Sequence, residues 1–382
     1  MERTLYEAEH RDLGESFGEF LRRHAQDRYE QWERDGIVPR DFFSAAGRDG
    51  FFAFEVDERY GGAGVRDFRF NAMLHEVGLS LGLSGVVGGI TLHNDICLPY
   101  FTSYCNEEQR ERWLPGIVSG RYLTAVAMTE PDAGSDLAGI ATRAVRADGG
   151  WVVSGAKTFI TNGINSDLVV VVVRTDPGDR HGGLSLLVVE RGMDGFERGR
   201  NLDKVGLHSA DTAEMFFHDV FVPEANLLGE QGMGFRYLTS NLPQERLSIA
   251  VSAVAMARTA LAHTLEFVKS RRAFGQPIGS FQNSRFVLAE VASEVEIATH
   301  YVDRCILAHN EGKLSAVDAA MAKSWCTEMQ GRVVDRCLQL HGGYGYMLEY
   351  PIARAFVDSR VSRIYAGTNE IMREIIGRSL GL

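Results

Sequence analysis

The segments that can support acid–base or redox chemistry are short, polar and spread along the chain. Near the C-terminus, IYAGTNEIM (residues 364–372) places a turn at Gly367, followed by Thr368 and a helical run that begins at Glu370. A carboxylate in such a turn could accept a proton, but the residue before the glycine is Ala366, whose methyl group cannot. Acid–base chemistry at this turn therefore needs a base from elsewhere in the chain.

The segment LPQERL (residues 242–247) offers one such base. We expect Pro243 to start or interrupt a helix, with Glu245 and Arg246 in its first turn. A carboxylate at a helix start is most often a surface residue that interacts with the helix dipole. The residues alone therefore favour a surface role for Glu245.

The segment AMTEPDAGSD (residues 127–136) has the composition of a ligand-binding turn. Pro131 and Gly134 predict a turn that exposes backbone N–H groups, and Ser135 and Asp136 add short polar side chains. This combination suits a diphosphate or the edge of a flavin. The alternative is an ordinary turn before a helix, capped by Ser135 or Asp136.

Three further segments allow both a functional and a structural interpretation. In KTFITNG, Phe159 and Thr161 share one face of a strand, where they could contact a planar cofactor or simply end a strand at an Asn-Gly turn. RRAFGQPIGSFQ (residues 271–282) is either an anion-binding arm or a basic helix end. QLHGGYGY (residues 339–346) allows close backbone approach to a ligand, or forms a helix C-cap and a connecting loop.

Three regions of different composition must carry these segments. Residues 1–120 read as helices broken by glycine turns, and residues 121–235 contain short Val-, Ile- and Phe-rich runs separated by turn residues. Residues 236–382 return to long helical segments, one with an apolar stripe from Leu288 to Ile306. We predict an α+β multi-domain protein with an N-terminal all-helical domain, a central antiparallel β-domain and a C-terminal helical bundle.

Composition limits the partners and the compartment. The net charge of -11 disfavours nucleic acid, because phosphate binding needs a basic face. The longest unbroken apolar run, Leu168 to Val173, is too short to span a membrane, and the charged N-terminus is not a secretory signal. Five cysteines without CxxC spacing predict no disulfide framework and no zinc site. We therefore expect a reduced, cytoplasmic location.

In this combination and order, the segments resemble those of the acyl-CoA dehydrogenase family, from residue 3 to the C-terminus. The resemblance implies a C-terminal four-helix bundle, FAD, a homotetramer built as a pair of dimers, and oxidation of an acyl-CoA thioester to its 2,3-enoyl product. Two long family signatures carry it: Ala127, Met128, Thr129, Glu130, Gly134, Ser135, Asp136 and Gly139, and then Gln339, Gly342, Gly343, Gly345, Tyr346, Glu349, Arg354 and Asp358.

The same resemblance implies which residues contact FAD. Many members carry Trp where this chain has Phe159, so a ring contact is kept while the indole N–H is lost. Part of the contacts to the adenosine half would come from a neighbouring subunit. The implied contacts are Val126, Met128, Thr129, Phe159 and Thr161 at the flavin ring; Gly134 and Ser135 at the pyrophosphate; Arg271, Phe274, Gln282, Gln339, Gly342 and Gly343 of the neighbour; and Thr368 and Glu370 closing over the cofactor.

The resemblance also assigns the catalytic base to a different segment of the chain. Many members have Glu where this chain has Ala366, whereas the isovaleryl and long-chain branch carries its Glu on a bundle helix, at the position of Glu245. The runs LPQER and YAGTNEIMRE look most like the long-chain type. Glu245 is then the α-proton base, and the backbone N–H of Ala366 binds the thioester oxygen. Ser135 and Gly367 are implied substrate contacts, and Arg246 either contacts the substrate or forms a structural pair. Burial would raise the pKa of Glu245 and a helix start beside Arg246 would lower it, so the direction stays open.

The family implies that electrons pass to an electron-transfer flavoprotein. Two alternatives remain: a flavin oxidase or monooxygenase on the same scaffold, and a catalytically silent acyl-CoA- or flavin-binding protein. Glu349 and Glu370 are alternative bases. The resemblance points to medium or long straight acyl chains, with branched, aromatic and sterol-side-chain thioesters left open.

Overall fold

A computed structural model describes residues 3–382. Its N-terminal region is helical, and the apolar faces of the helices meet in a core rich in aromatic side chains such as Phe17, Phe43 and Trp113. The last of these helices starts at a capping box, in which Asn106 and Gln109 each satisfy the other's backbone N–H. The helices are α1 Ala8–His24, α2 Tyr29–Asp35, α3 Arg40–Arg48, α4 Phe68–Ser80, α5 Ser84–Thr91, α6 Leu98–Tyr104 and α7 Glu107–Val118.

Between α5 and α6 the chain remains helical but changes its winding. Residues Leu92–Cys97 form a π-helix, so one helical run continues from Ser84 to Tyr104. Wide π-type turns inside α-helices occur often at functional sites. No sequence pattern predicted this segment.

The central region is one eight-stranded sheet. Its order is β6-β7-β3-β2-β4-β5-β8, with β1 beside β4. Most neighbours are antiparallel as predicted, but β1 and β2 pair with β4 in parallel. The strands are β1 Thr124–Ala127, β2 Arg143–Ala147, β3 Gly150–Thr161, β4 Leu168–Arg174, β5 Leu184–Glu190, β6 Phe196–Asn201, β7 Thr212–Pro223 and β8 Leu227–Leu228.

The run of valines in β4 follows from the burial of both faces of this strand. Val170 and Val172 belong to the core shared with the N-terminal helices, whereas Val169 and Val171 belong to a separate core on the other face of the sheet. A strand buried on both faces has no solvent side to mark with polar residues. The same alternation continues in β5.

The C-terminal region is helical, so the predicted order of helical, β and helical parts is confirmed. The apolar stripe from Leu288 to Ile306 is buried in a third core. A short two-stranded hairpin of β9 and β10 separates the first two of its helices. The elements are α8 Gly234–Ser270, β9 Arg272–Ala273, β10 Gln276–Pro277, α9 Gln282–Asn310, α10 Ala316–His341, α11 Pro351–Ser359 and α12 Asn369–Ser379.

Helix α8 differs from the prediction at its start. It begins at Gly234, so Pro243 lies inside it and the expected placement of Glu245 in a first turn is wrong. A proline inside a helix costs about 3 kcal/mol. Packing offsets this cost, because the ring of Tyr104 stacks on that of Tyr237 at 3.9 Å and holds the first turns of α8 against α6.

Within residues 3–382, α8 is also the one helix whose length and composition would suit a membrane crossing. However, 67% of its most apolar window is buried inside the fold. The core helix of a bundle meets the same criteria, and α8 packs along α10 in that role.

Candidate active site

Glu245 lies in the interior of α8 and is buried, with 3% of its surface exposed. The hydroxyl of Tyr100 donates to its Oε1 at 2.9 Å. Burial raises the pKa of Glu245 to about 7, while the Tyr100 hydrogen bond and the charge of Arg246 act in the opposite direction. The surface role that the residue type alone favours is therefore wrong. A carboxylate in this state can take up a proton near neutral pH.

Sequence reasoning missed Tyr100. It lies on α6, far from Glu245 in the chain, and a tyrosine on an apolar helix face looks like a core residue. Glu245 does not lie in a first helical turn. This settles the direction of its pKa shift, which the sequence left open. A helix dipole acts only within the end turns, so it does not lower the pKa of a glutamate in the interior of α8.

Arg246 faces the terminal turn. Its side chain is buried, and within residues 3–382 its Nε has no hydrogen-bond partner. A β-carbon placed on Gly367 would lie 3.9 Å from a terminal nitrogen of Arg246. The structure thus brings Arg246 beside Gly367, with Glu245 next to it on α8.

The terminal turn is held in an unfavourable backbone conformation. Ala366 has φ +50° and Gly367 has φ +88°, both in the left-handed region. A non-glycine residue there costs about 1–3 kcal/mol and is found preferentially at functional sites. Ala366 has no carboxylate, but its backbone N–H belongs to this constrained turn.

A buried lysine fixes this turn, and sequence reasoning missed it. Lys323 on α10 donates to the carbonyl oxygen of Gly367 at 2.8 Å and to Asn369 Oδ1 at 2.9 Å. Burial, together with the nearby charge of Arg246, lowers the pKa of Lys323 to about 8. Nothing in the sequence separates this lysine from an exposed helical lysine such as Lys269 on α8.

The two segments assigned to the flavin ring meet at the ends of β1 and β3. The backbone N–H of Thr158 donates to the carbonyl oxygen of Thr129 at 2.9 Å. Lys157 is buried and donates to the carbonyl oxygen of Met128 at 2.9 Å and to Glu130 at 2.8 Å. This ion pair fixes one strand end against the other.

The side chains at this edge are only partly covered by the rest of the chain. Along β1, Val126 and Met128 are half-buried, whereas the alanines between and before them are buried. Phe159 has φ +59° at a bulge in β3 and is 67% exposed. Thr161 is half-buried on the same strand, with Ile160 buried between the two. A bulge that turns an aromatic ring outward creates a flat apolar surface.

Gly134 and Ser135 lie in the exposed loop that continues from this edge. A β-carbon on Gly134 would have no atom within 4 Å, so the backbone is open to a ligand. The alternative of a capped helix start does not hold. A 3-10 turn begins at Leu137, but the side chain of Asp136 does not cap it and pairs instead with Arg180 at 2.7 Å.

A second group of predicted residues lines a cavity of about 550 Å³ beside the end of α10. Arg271, Gln339, Gly342 and Gly343 all contribute to its wall. The guanidinium of Arg271 lies over the ring of Tyr344, and neither glycine would bring a β-carbon within 4 Å of another atom. One cation beside open backbone suits a diphosphate or a nucleoside.

Two further residues of the arm lie close to this cavity. Phe274 stands at the tip of the hairpin between β9 and β10, has φ +49° and is 95% exposed. Its ring contacts Phe281, which precedes the exposed Gln282 at the start of α9. The wall of the cavity includes no residue of the flavin-ring group.

Thr368 and Glu370 have local roles in the described chain. The Thr368 hydroxyl caps α12 by accepting from the N–H of Ile371, and Glu370 is exposed and pairs with Arg373 at 3.2 Å. Glu349 is exposed as well. Of the three carboxylates considered as a base, Glu245 is therefore the buried one.

A larger groove of about 1160 Å³ lies along β2, and none of the predicted site residues lines it. Its arginines are largely engaged. Arg174 donates to three backbone carbonyl oxygens, while Arg146 pairs with Glu224 and Arg180 with Asp136. We therefore place the candidate active site at Glu245.

Comparison with known proteins gives a consistent picture. Family models of the acyl-CoA dehydrogenase N-terminal, middle and C-terminal domains match residues 7–121, 125–220 and 232–381. Mitochondrial long-chain specific acyl-CoA dehydrogenase of Sus scrofa is 43% identical over 380 residues, which are 99% of this chain and 88% of that protein.

Solved structures that resemble this chain include members of the same family. Acyl-CoA dehydrogenase from Geobacillus kaustophilus is 50% identical with a TM-score of 0.96, and the match covers 99% of both chains. A structure described as the FAD complex of PigA is 27% identical with a TM-score of 0.92 over 100% of both chains.

Proposed function

Because the chain belongs to the acyl-CoA dehydrogenase family and is therefore an FAD enzyme, we propose that it converts an acyl-CoA to the trans-2-enoyl-CoA with Glu245 as the base. The observation that carries this proposal is the burial of Glu245, with a pKa near neutrality, beside Tyr100 and Arg246. A surface glutamate would have neither property.

The residues present fit FAD. The outward ring of Phe159, the open backbone at Gly134 and the half-buried Val126 and Met128 suit an isoalloxazine ring and the start of its diphosphate chain. We assign the cavity of Arg271, Gln339, Gly342 and Gly343, and the exposed hairpin tip with Phe274, to the adenosine half bound by a neighbouring subunit. Bound FAD supplies the acceptor for the hydride that leaves the β-carbon.

Glu245 performs the acid–base half of the reaction. Its carboxylate takes the proton from the α-carbon of the thioester, and burial raises its basicity above that of an exposed glutamate. Tyr100 holds one carboxylate oxygen, which leaves the other free to face the substrate. Tyr100 also retains its own proton, because burial raises its pKa far above the ordinary value.

The thioester oxygen gains negative charge as the proton leaves. We propose that the backbone N–H of Ala366 binds it, and that Lys323 keeps the turn in place through the carbonyl oxygen of Gly367. The buried charges of Arg246 and Lys323 make this corner of the site electropositive. Such a surrounding favours an enolate-like transition state.

We further propose the finer assignments that the family suggests. They are medium or long straight-chain substrates, an electron-transfer flavoprotein as electron acceptor, a homotetramer and a cytoplasmic location. The substrate class is supported by the LPQER and YAGTNEIMRE segments and by the long-chain relative. The reduced compartment is supported by the five cysteines, which are all free and buried.

Anaerobic flavin bleaching tests the proposal. Purified protein with FAD is mixed with acyl-CoA thioesters of increasing chain length without dioxygen, and absorbance of oxidised flavin is followed. We expect rapid bleaching by medium- or long-chain thioesters and slow reoxidation in air. Glu245→Gln should bind FAD but lose bleaching by a factor of about 10² or more, whereas Glu266→Gln, at an exposed carboxylate of the same helix, should behave as the unaltered protein.

Three outcomes would contradict it. Full activity of Glu245→Gln would remove the base assignment. Rapid formation of peroxide in air would favour an oxidase or monooxygenase. A yellow protein that no acyl-CoA bleaches would favour a silent binding protein.

A further inference from the structure

Three consecutive polar side chains of the π-helical segment are buried, and the proposed reaction uses none of them. They are His93, Asn94 and Asp95. Consecutive side chains on a helix point in different directions, so each of the three reaches a different part of the molecule. Burying three polar groups in a row is unfavourable unless each finds its partners.

His93 contacts the strand that leads to the flavin-ring residues. Its Nε2 lies 3.2 Å from the carbonyl oxygen of Ile117, and its Nδ1 lies 2.8 Å from the hydroxyl of Thr124. A carbonyl oxygen only accepts, so Nε2 carries the proton and Thr124 donates to Nδ1. Burial lowers the pKa of His93 to about 4, which keeps the ring neutral. Thr124 is the first residue of β1.

Asp95 contacts the helix that carries the base. Its Oδ2 accepts from Ser248 Oγ at 2.7 Å, and its backbone carbonyl oxygen accepts from Gln244 Nε2 at 2.8 Å. Gln244 precedes Glu245 directly, and Ser248 follows it by one helical turn. One residue therefore holds α8 on both sides of the carboxylate.

Histidine 75 adds a second connection to the same helix. His75 on α4 lies 2.7 Å from Asp95 Oδ2 through Nε2 and 2.6 Å from Ser252 Oγ through Nδ1. Helix α8 is thus bound to Asp95 directly through Ser248 and indirectly through His75. The carboxylate of Asp95 is at the centre of this network.

The same helical run also contacts Glu245 itself. Tyr100, in α6, donates to Glu245. The run from Ser84 to Tyr104 therefore contacts the start of β1, the side chains of α8 on either side of Glu245, and the Glu245 carboxylate itself. A rigid element that contacts all three fixes the separation between the base and the flavin-ring edge.

We propose that Asp95 is a positioning residue for Glu245: its carboxylate holds α8 through Ser248 and His75, beside the bond from Gln244 to its backbone carbonyl oxygen, so that the Glu245 carboxylate faces the substrate at the correct distance. The proposal rests on the proposed function of Glu245. Asn94 provides a matched comparison. It is an equally buried neighbour, but its side chain bonds only the backbone of Phe51 and Ala53 in the N-terminal region.

The experiment compares Asp95→Ala, Asp95→Asn and Asn94→Ala in the FAD-loaded full chain. At saturating long-chain acyl-CoA we expect anaerobic flavin reduction about tenfold slower in Asp95→Ala, an intermediate rate in Asp95→Asn, and a rate within about twofold of the unaltered protein in Asn94→Ala. The KM for acyl-CoA should change less than about threefold, because the substrate contacts are intact.

Hydrogen–deuterium exchange supplies a readout that does not depend on turnover. Asp95→Ala should speed exchange in the segment 243–248 of α8, where every residue except Pro243 carries an exchangeable amide, whereas Asn94→Ala should speed exchange around residues 51–53. An unaltered reduction rate in Asp95→Ala, or an equal loss in Asn94→Ala, would overturn the proposal. Where Asp95→Ala fails to fold, Ser248→Ala and Gln244→Met each remove one of its bonds and should slow reduction about threefold.

The failure of this proposal differs from the failure of the proposed function. Absence of bleaching by any acyl-CoA in the unaltered protein would overturn the dehydrogenase assignment. The exchange measurement would still decide whether Asp95 fixes α8. Unchanged exchange at residues 243–248 in Asp95→Ala would overturn the positioning role in either case.

Discussion

The base and the cofactor surfaces are built in opposite ways. Around Glu245 every principal group is buried and contributed by one chain: Tyr100, Arg246 and Lys323. The surfaces assigned to FAD carry large apolar side chains in the open, with Phe159 67% and Phe274 95% exposed. Exposed aromatics on strained backbone are unfavourable in an isolated chain, which supports the proposal that these two residues contact FAD.

The difference separates two physical tasks. Proton transfer needs a low-dielectric pocket that shifts a pKa and fixes a distance, and a single folded chain supplies both. Binding a large cofactor needs area, which this chain offers as two open surfaces. Substitutions in the first region should therefore alter rates and pH dependence, and substitutions in the second should alter affinity.

The largest effect expected in the buried region is on stability. The pKa of Glu245 is raised from 4.5 to about 7, so its ionisation disfavours the folded state. This loss is absent below about pH 4.5, grows as the pH rises to about 7 and is complete above it. Glu245→Gln should therefore be more stable by on the order of 3 kcal/mol at alkaline pH, and denaturant unfolding across the pH range measures the difference.

The control for that prediction is Glu370→Gln, because Glu370 is exposed. It should show no such pH-dependent gain. A Glu245→Gln variant whose stability parallels that of the unaltered protein at every pH would mean that the carboxylate is solvated, and the contrast between the two regions would be lost.

The next effect concerns rate. Because the ionised carboxylate is the base and its pKa is about 7, the rate of anaerobic flavin reduction at low acyl-CoA should fall about tenfold per pH unit below neutrality. At about pH 5 the loss should reach about a hundredfold. Stopped-flow absorbance measures it, and a flat profile between these values would contradict the assignment of Glu245.

A smaller effect is expected at the terminal turn. Lys323→Met keeps the length of the side chain but removes its bonds to Gly367 and Asn369, so the turn with Ala366 loses its support. We expect kcat to fall about tenfold with little change in FAD binding. Lys269→Met, at an exposed lysine, is the matched control, and equal losses in both variants would exclude a specific role of Lys323.

The smallest effect is expected at the cofactor arm. Phe274→Ala should weaken FAD binding about fivefold, because an aromatic contact contributes about 1 kcal/mol, and should leave the reduction rate of FAD-saturated protein unchanged. Titration of the apoprotein with FAD measures the affinity. Val205→Ala, at another exposed apolar residue, should not weaken binding. A slower reduction rate in Phe274→Ala would contradict the expectation that substitutions at the cofactor surfaces alter affinity rather than rate.

Sequence patterns predicted the fold better than the details of the site. The order of helical and β regions follows from periodicity, and β4 is evident from its valines. The two parallel pairings with β4 were not predicted, because the register and direction of distant strands depend on tertiary packing.

Within the site, the segments with unusual composition were found and the supporting residues were not. Gly342 and Gly367 have φ values in the left-handed region that favours glycine, and Gly134 stands out as part of a turn-forming segment. Tyr100 and Lys323 do not, since each becomes functional only through a partner far away in the chain. Glu245 was named through the family resemblance, and its placement in a first helical turn was wrong because packing carries α8 through Pro243.

The burial of both faces of β4 has a consequence for how the molecule unfolds. Its alternate valines close two different cores, so pulling this strand out would expose the N-terminal helices and the outer half of the sheet at once. The helical and β parts are therefore expected to melt together in a single calorimetric transition, and a truncation that ends before residue 168 should leave the N-terminal helices without a stable fold.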